Sequence, residues 1–440
     1  MSKKSVVYLL LGVILVIGLL LRNYNLTVWP REGATFDEYA WTFLGMSILD
    51  TGTPTSWSPH QAYKNKIQYI NPHGTSFFLA TPYLEHSPFF GLIVGGFARL
   101  QGIRAFDDVT IERIRPLALI LGVISIGAVF FFASCFYGST IGLLSAGIYS
   151  IFPSAAVGSR IVQNENFFIP FFLISLGLAK LYVERKNKGF LSVLCILSFL
   201  LPLSKIPWIA SPFACSLYLL SKKKWKESVG VVFSAALSIS VFIIYGMALG
   251  KDVFLALWKL QLARYDLSFG SFIKIFQDPL VTDRLFLDGW VYIGWIVFFV
   301  VTATSYKKHI GLIAGFLSYL LIFLFAIPSE AGHGWYRYPF YPFLAVSFAV
   351  LLKDGIGRMP QILCPVLTLL GLLLLETVWV PVFGFSFVIH RAWLVLCSFI
   401  GLPVFVKGKW VYRIGVLATY ISLLVISVLS VYAILQYNEQ

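Results

Sequence analysis

The chain has 440 residues, 58% of them hydrophobic and 12% charged, against roughly 25% charged residues in an ordinary soluble domain. Repeated apolar runs, each long enough to cross about 30 Å of hydrocarbon, exclude a soluble multidomain protein and imply one polytopic helical bundle. The net charge of +14 does not point to nucleic acid, because Lys and Arg sit in short clusters between apolar runs rather than along one polar face.

The chain opens with "MSKKS" and the apolar run Val6 to Leu21. No small-residue cleavage site precedes Arg22, so this reads as an uncleaved first helix rather than a signal peptide. Spans are predicted at 5–22, 115–136, 140–157, 165–183, 190–204, 206–221, 228–249, 290–305, 310–327, 339–353, 361–379, 387–406 and 411–434, about thirteen in all. With the N-terminus cytoplasmic, the inner connections become "ERKNKG", "SKKKWKE", "SYKKH", "KDGIGR" and "KGKWVYR", nearly all basic, as the positive-inside rule requires. The stretch 87–102, "SPFFGLIVGGFARLQG", is apolar but short, carries Gly95, Gly96 and Arg99, and would invert every later loop if it spanned. It is assigned as an interfacial helix inside a long outer loop, 23–113. A second outer loop is expected at 251–288. Cys135, Cys195, Cys215, Cys364 and Cys397 all lie in apolar runs, with neither disulfide nor zinc spacing.

The first outer loop contains "GATFDEYAWTFLGMSILDTG", with Asp37 and Glu38 adjacent at its start. Thr35 precedes Glu38 by three residues, the capping-box spacing in front of an apolar run. Thr35 is expected to cap a helix, with Glu38 reaching back to the cap amide. That leaves Asp37 as the freer carboxylate near the positive end of the helix dipole. Lys64, Lys66, Glu85 and His86 share this loop. The bland reading is that both acids only decorate a helix start.

Several short patterns resemble the GT-C membrane glycosyltransferases, in particular the branch of protein O-mannosyltransferases and lipid A aminoarabinose transferases. These are "FDEYAW" with "DTGTP", "YLEHSPFFGLIVGGFARLQG", "RIRPLALILG", "FPSAAVGSRIVQNENFF" and "HGWYRYPFYPFLA". At His86, Ser87 and Pro88 the chain lacks the first proline of the family's usual His-Pro-Pro or Lys-Pro-Pro. The resemblance implies an all-α integral membrane fold: a GT-C-type bundle with interfacial helices in the first outer loop and a catalytic module over 1–353. It assigns no role to the C-terminal helices of 354–440. It further implies a polyprenyl-phosphate-linked sugar as donor, an acceptor hydroxyl on a protein, glycan or lipid, and Asp37 as the base. Glu38 and Glu165 complete the acidic set; Glu165 either orients the base, holds the acceptor or pairs with Arg160.

An anionic lipid phosphate as leaving group needs cations fixed at the membrane edge. Arg337, between Tyr336 and Tyr338, is the first choice, the alternative being an aromatic-belt anchor. Lys205 is the second, against simple snorkelling to the headgroups. His86, Lys64 and Arg160 join the substrate-binding set, and Lys66, Arg113 and Arg115 are weaker phosphate partners. For a divalent metal the outer-face candidates are Glu85, His86, Glu330 and His333, and no metal requirement is assigned. Neither an Asp-x-Asp pair nor a Gly-rich phosphate loop supports a nucleotide sugar. The expected location is the plasma (inner) membrane, with the N-terminus cytoplasmic and the site on the outer face. Two other readings stay open. One is a polytopic lipid or solute transporter, for which Glu376 in an apolar run leaves room; the other is a scaffold or polymerase partner with a decayed site.

Overall fold

The computed structural model describes residues 3–63, 67–70, 76–263, 274–276, 286–326 and 333–439. Among the described residues, every apolar segment predicted to span is largely helical. Seven helices among the described residues are both long and apolar enough to cross a membrane, and shorter apolar helices lie between them.

In chain order, α1 (Lys3–Asn23) leads into the first loop, which holds α2 (Asp37–Thr51), three short strands, and α3 (Phe89–Leu100). The strands are β1 (Ser56–Trp57), β2 (Ile67–Ile70) and β3 (Phe77–Ala80), antiparallel in the order β1-β3-β2. This sheet corrects the all-α expectation. Along β3, Phe77 and Leu79 are buried while Phe78 is exposed, a period-2 pattern too short to register beside the surrounding turn residues. At twelve residues, α3 is about 18 Å long, well short of the hydrocarbon thickness. It packs on α2 instead. The two backbones meet at glycines: a Cβ on Gly45 would stand 1.8 Å from the Gly91 carbonyl oxygen, and one on Gly95 would stand 2.3 Å from the Gly45 carbonyl carbon. Small residues are what allow this approach.

The bundle continues with α4 (Ile111–Tyr137), α5 (Ser139–Ile151), α6 (Pro153–Gly158), α7 (Asn164–Arg185), α8 (Lys188–Ser204), α9 (Ala210–Ser221) and α10 (Trp225–Ala263). The predicted span 140–157 is thus two helices. Pro153 has no N–H to continue the ladder and biases the residue before it toward extended backbone; Phe152 sits at φ −67°, ψ 110°. The expected loop 251–288 is also corrected at its start, because α10 continues past a break at Gly250 to Ala263. That extension sets Leu257 and Trp258 beside Leu84, Glu85 and His86. Later helices run Gly289–Thr304, Ile310–Ala326, Tyr341–Gly355, Pro360–Leu374, Phe387–Phe405 and Lys409–Leu435. The last packs on α1, α5 and α6, and its Ser430 Oγ accepts from Trp290 Nε1 at 2.8 Å.

Candidate functional site

At the start of α2 the residue in the N-cap position is Phe36, with no side-chain cap, so the expected capping box is not made. Thr35 Oγ1 accepts from the Asp37 amide at 3.1 Å. Glu38 does not reach back; it is fully buried. Arg115 donates Nε to Glu38 Oε1 at 3.1 Å and Nη2 to Oε2 at 2.9 Å, and the Val162 amide donates to Oε1 at 3.0 Å. A bidentate charged pair with an added amide outweighs a single exposed cap bond. Arg115 spends Nη1 on the Leu26 and Pro30 carbonyls, at 2.9 and 2.7 Å. Glu38 and Arg115 therefore form a buried brace between α2, α4 and the loops around them.

Asp37, one residue earlier, is half-buried. Its Oδ2 accepts from Gln163 Nε2 at 2.9 Å, and the same nitrogen lies 3.2 Å from Thr35 Oγ1. Sequence reasoning missed Gln163. It lies within the quoted stretch "RIVQNENFF", but an uncharged side chain in a short turn carries no signal of its own.

Behind Asp37, the first turn of α7 presents Glu165, buried, with its Oε1 accepting from Lys205 Nζ at 2.7 Å. Lys205 does not snorkel; it is 7% exposed, over the rings of Tyr336 at 4.7 Å and Trp208 at 5.5 Å. Burial opposes its charge most strongly, but Glu165, Tyr336 and Asp37 outweigh burial and the Lys205 pKa is raised. Asn164 fixes the geometry by donating to the Ser204 carbonyl at 2.9 Å and accepting from Trp208 Nε1 at 2.7 Å. Arg160 is not the partner of Glu165. It is buried and donates to the carbonyls of Leu21 at 3.0 Å and Trp29 at 3.3 Å. Burial, and then Arg22, push its pKa down to about 9.

Lys205 and Tyr336 line a cavity of about 260 Å³ together with His60, Glu85 and His86 and with Leu257, Trp258 and Leu262 of α10. His60 Nε2 stands 3.4 Å from Glu85 Oε2, and the His86 ring is 5.3 Å from Trp41 of α2. Arg337 lies in the 3-10 helix Gly334–Phe340, 2% exposed, with Nη1 donating to the His333 carbonyl at 3.3 Å. Tyr338 is buried against Gly158, where a Cβ would meet its ring at 2.3 Å. His333, itself exposed, stacks on the buried Trp335 at 4.1 Å. Lys64, Lys66 and Glu330 lie outside the described residues. Among the described residues no three His, Cys, Asp or Glu side chains come together as a metal-ligand group.

The structure thus brings Lys205, Tyr336, Glu85 and His86 into the lining of one cavity, and Asp37 is among the charges that raise the Lys205 pKa. Glu38 and Arg160 stand apart as buried bracing.

The sequence profile described as dolichyl-phosphate-mannose-protein mannosyltransferase matches residues 85–246. No curated protein matches the chain by sequence. Among solved structures, the chain is similar to ArnT from Cupriavidus metallidurans bound to undecaprenyl phosphate. The TM-score is 0.57 at 15% identity, covering 99% of this chain and 77% of that one. It is also similar to the oligosaccharyltransferase of Archaeoglobus fulgidus, with TM-score 0.52, 13% identity, and coverage of 98% and 56%. The arabinosyltransferase EmbB of Mycobacterium smegmatis matches with TM-score 0.53 at 9% identity, over 96% of this chain and 40% of that one. The chain thus spans little more than half of the second and less than half of the third. All are GT-C glycosyltransferases, and the fold of this chain is the GT-C membrane fold.

Proposed function

We propose that the protein is a glycosyltransferase that moves a sugar from a polyprenyl-phosphate donor to an acceptor hydroxyl at the outer face of the membrane, with inversion at the anomeric carbon. The observation that carries this is the pairing of two sites: a half-buried carboxylate, Asp37, and a cation, Lys205, held charged at a cavity wall by Glu165. Solved neighbours of the same fold hold undecaprenyl phosphate and dolichol phosphate, which supports a lipid-linked donor here.

In this reading the lipid phosphate enters the cavity with its oxygens toward Lys205 Nζ, His86 and Tyr336. Leu257, Trp258 and Leu262 of α10 receive the first isoprene units. The acceptor hydroxyl reaches Asp37 from its open side. Asp37 takes the hydroxyl proton as the oxygen bonds to the anomeric carbon, and the bond from that carbon to the phosphate oxygen breaks with its electron pair left on the phosphate. The charge that develops there meets Lys205, which needs no rearrangement because Glu165 and two aromatic rings already hold it. Arg337 adds positive charge from the neighbouring turn. Residues 1–353 carry the chemistry, and the helices of 354–440 shape selectivity.

The topology in this reading is that of the positive-inside assignment: about thirteen spans, α2 and α3 at the outer interface, the N-terminus cytoplasmic, in a plasma (inner) membrane. The experiment is transfer from a radiolabelled polyprenyl-phosphate sugar by purified protein, with flux across proteoliposomes measured in parallel. Sugar transfer to a hydroxyl acceptor supports the enzyme. Flux without transfer supports the transporter reading, which Glu376 in its π-helical turn Leu375–Trp379 keeps open.

A further inference from the structure

We infer that Gln163 is a positioning residue for Asp37, an inference that rests on the reading of Asp37 as the base. Gln163 occupies the N-cap position of α7, yet its side chain makes no cap bond to that helix. Ser, Thr, Asp or Asn suit that position better. The side chain instead crosses the turn, fully buried, to place Nε2 at 2.9 Å from Asp37 Oδ2 and 3.2 Å from Thr35 Oγ1. Thr35 Oγ1 in turn accepts from the Asp37 amide at 3.1 Å. The three residues close a ring that holds one carboxylate oxygen and fixes the carboxyl plane, leaving Oδ1 for an acceptor hydroxyl.

The other end of the amide separates a functional placement from a stabilising one. Gln163 Oε1 is buried with no hydrogen-bond partner among the described residues. A buried, unsatisfied carbonyl is a net cost to the fold. A glutamine retained for stability would satisfy both ends; this one satisfies only the end that faces Asp37. Local rules broken in this way concentrate where function fixes the side chain. The neighbouring turn residue applies the same logic to the second acid, since the Val162 amide binds Glu38 at 3.0 Å. The α6–α7 turn therefore sorts two adjacent carboxylates into a buried brace and an oriented base.

The test uses the purified full-length protein and its Q163L, Q163E and D37N variants. Three quantities are measured: thermal unfolding in detergent, KM for the polyprenyl-phosphate sugar, and kcat/KM against pH. Q163L removes both the donor and the orphaned carbonyl. It is expected to unfold at the wild-type temperature or above, to keep its donor KM, and to lose roughly tenfold or more in kcat, a fraction of what a general base supplies. The acid limb of its pH profile moves to higher pH, because a donor that favoured the ionised carboxylate is gone. In Q163E the introduced acid donates a hydrogen bond only when protonated, so activity relative to wild type rises as pH falls. An unchanged kcat in Q163L overturns the inference, as does a loss of activity in step with a lowered unfolding temperature and an unshifted pH profile. Normal transfer by D37N instead sinks the base reading itself, whatever Q163L does.

Discussion

Arg115 donates to both carboxylate oxygens of Glu38, at 3.1 and 2.9 Å, with neither side chain exposed to solvent. Removing one partner strands a charge in the interior, so E38A or R115A should cost about 3–5 kcal/mol of stability. D37N, at a half-buried position with no ion pair among the described residues, should stay within about 0.5 kcal/mol of wild type. Unfolding temperatures of the purified variants in one detergent check this. Similar losses in D37N and E38A would erase the proposed division of labour between the adjacent acids.

Glu165 and Lys205 form a second buried pair, at 2.7 Å, and here stability and activity come apart. K205M leaves the Glu165 carboxylate unpaired and should destabilise by several kcal/mol, whereas the double variant K205M/E165Q, neutral at both positions, should recover much of that loss. Activity should not return in the double variant, because the cation at the cavity wall is still missing. Recovery of transfer together with stability would show that Lys205 serves only the fold.

The contact between α2 and α3 depends on glycine at specific positions. G45A or G95A drives a methyl group into backbone of the opposite helix, at 1.8 and 2.3 Å, and overpacking of this kind costs about 1–3 kcal/mol or more. G96A, where nothing lies within 4 Å of the added carbon, should be neutral or stabilise α3 by up to about 1 kcal/mol. Because α2 carries Asp37, transfer should fall in G45A and survive in G96A. A comparison of expression, unfolding and activity across the three variants decides it.

Asp288 caps the helix Gly289–Thr304 and accepts from the Ser154 and Trp290 amides at 2.8 and 2.9 Å. Burial pushes its carboxyl up from 3.8 to about 6, against the pull of those hydrogen bonds. A raised acid binds its proton more tightly folded than unfolded, so this site adds stability as pH falls through about 6, fully present below about 3.8, and loses it as pH rises. Between pH 7 and pH 5 the wild type should gain about 1 kcal/mol relative to D288N. Unfolding of the two proteins at both pH values measures the slope, and parallel behaviour would contradict it.

The helices were legible because each apolar run is long enough to cross hydrocarbon, a signal that survives tertiary context. Among the described residues, every such segment is largely helical. What stayed hidden depended on residues distant in sequence. The Thr35–Glu38 spacing suggested a cap, but Arg115, 77 positions from Glu38, offered the carboxylate a better partner. Glu165 was given Arg160 as its one possible ion-pair partner, and the fold pairs it with Lys205 instead. Lys205 looked like a snorkelling side chain because neither Glu165 nor the ring of Tyr336 is near it in sequence. The β-strands were too short to show a period, and the break at Gly250 suggested the start of a loop where α10 continues. The acid pair itself was conspicuous at once, since charge beside a membrane-length apolar run is expensive unless used.

The central claim is that Asp37 is the group that accepts the acceptor's proton. Single-turnover transfer from a radiolabelled polyprenyl-phosphate sugar by D37N, with donor binding measured on the same preparation, tests it most directly. The account predicts that D37N binds the donor as wild type does while the transfer step slows by roughly 100-fold or more. Transfer at the wild-type rate by D37N would contradict it.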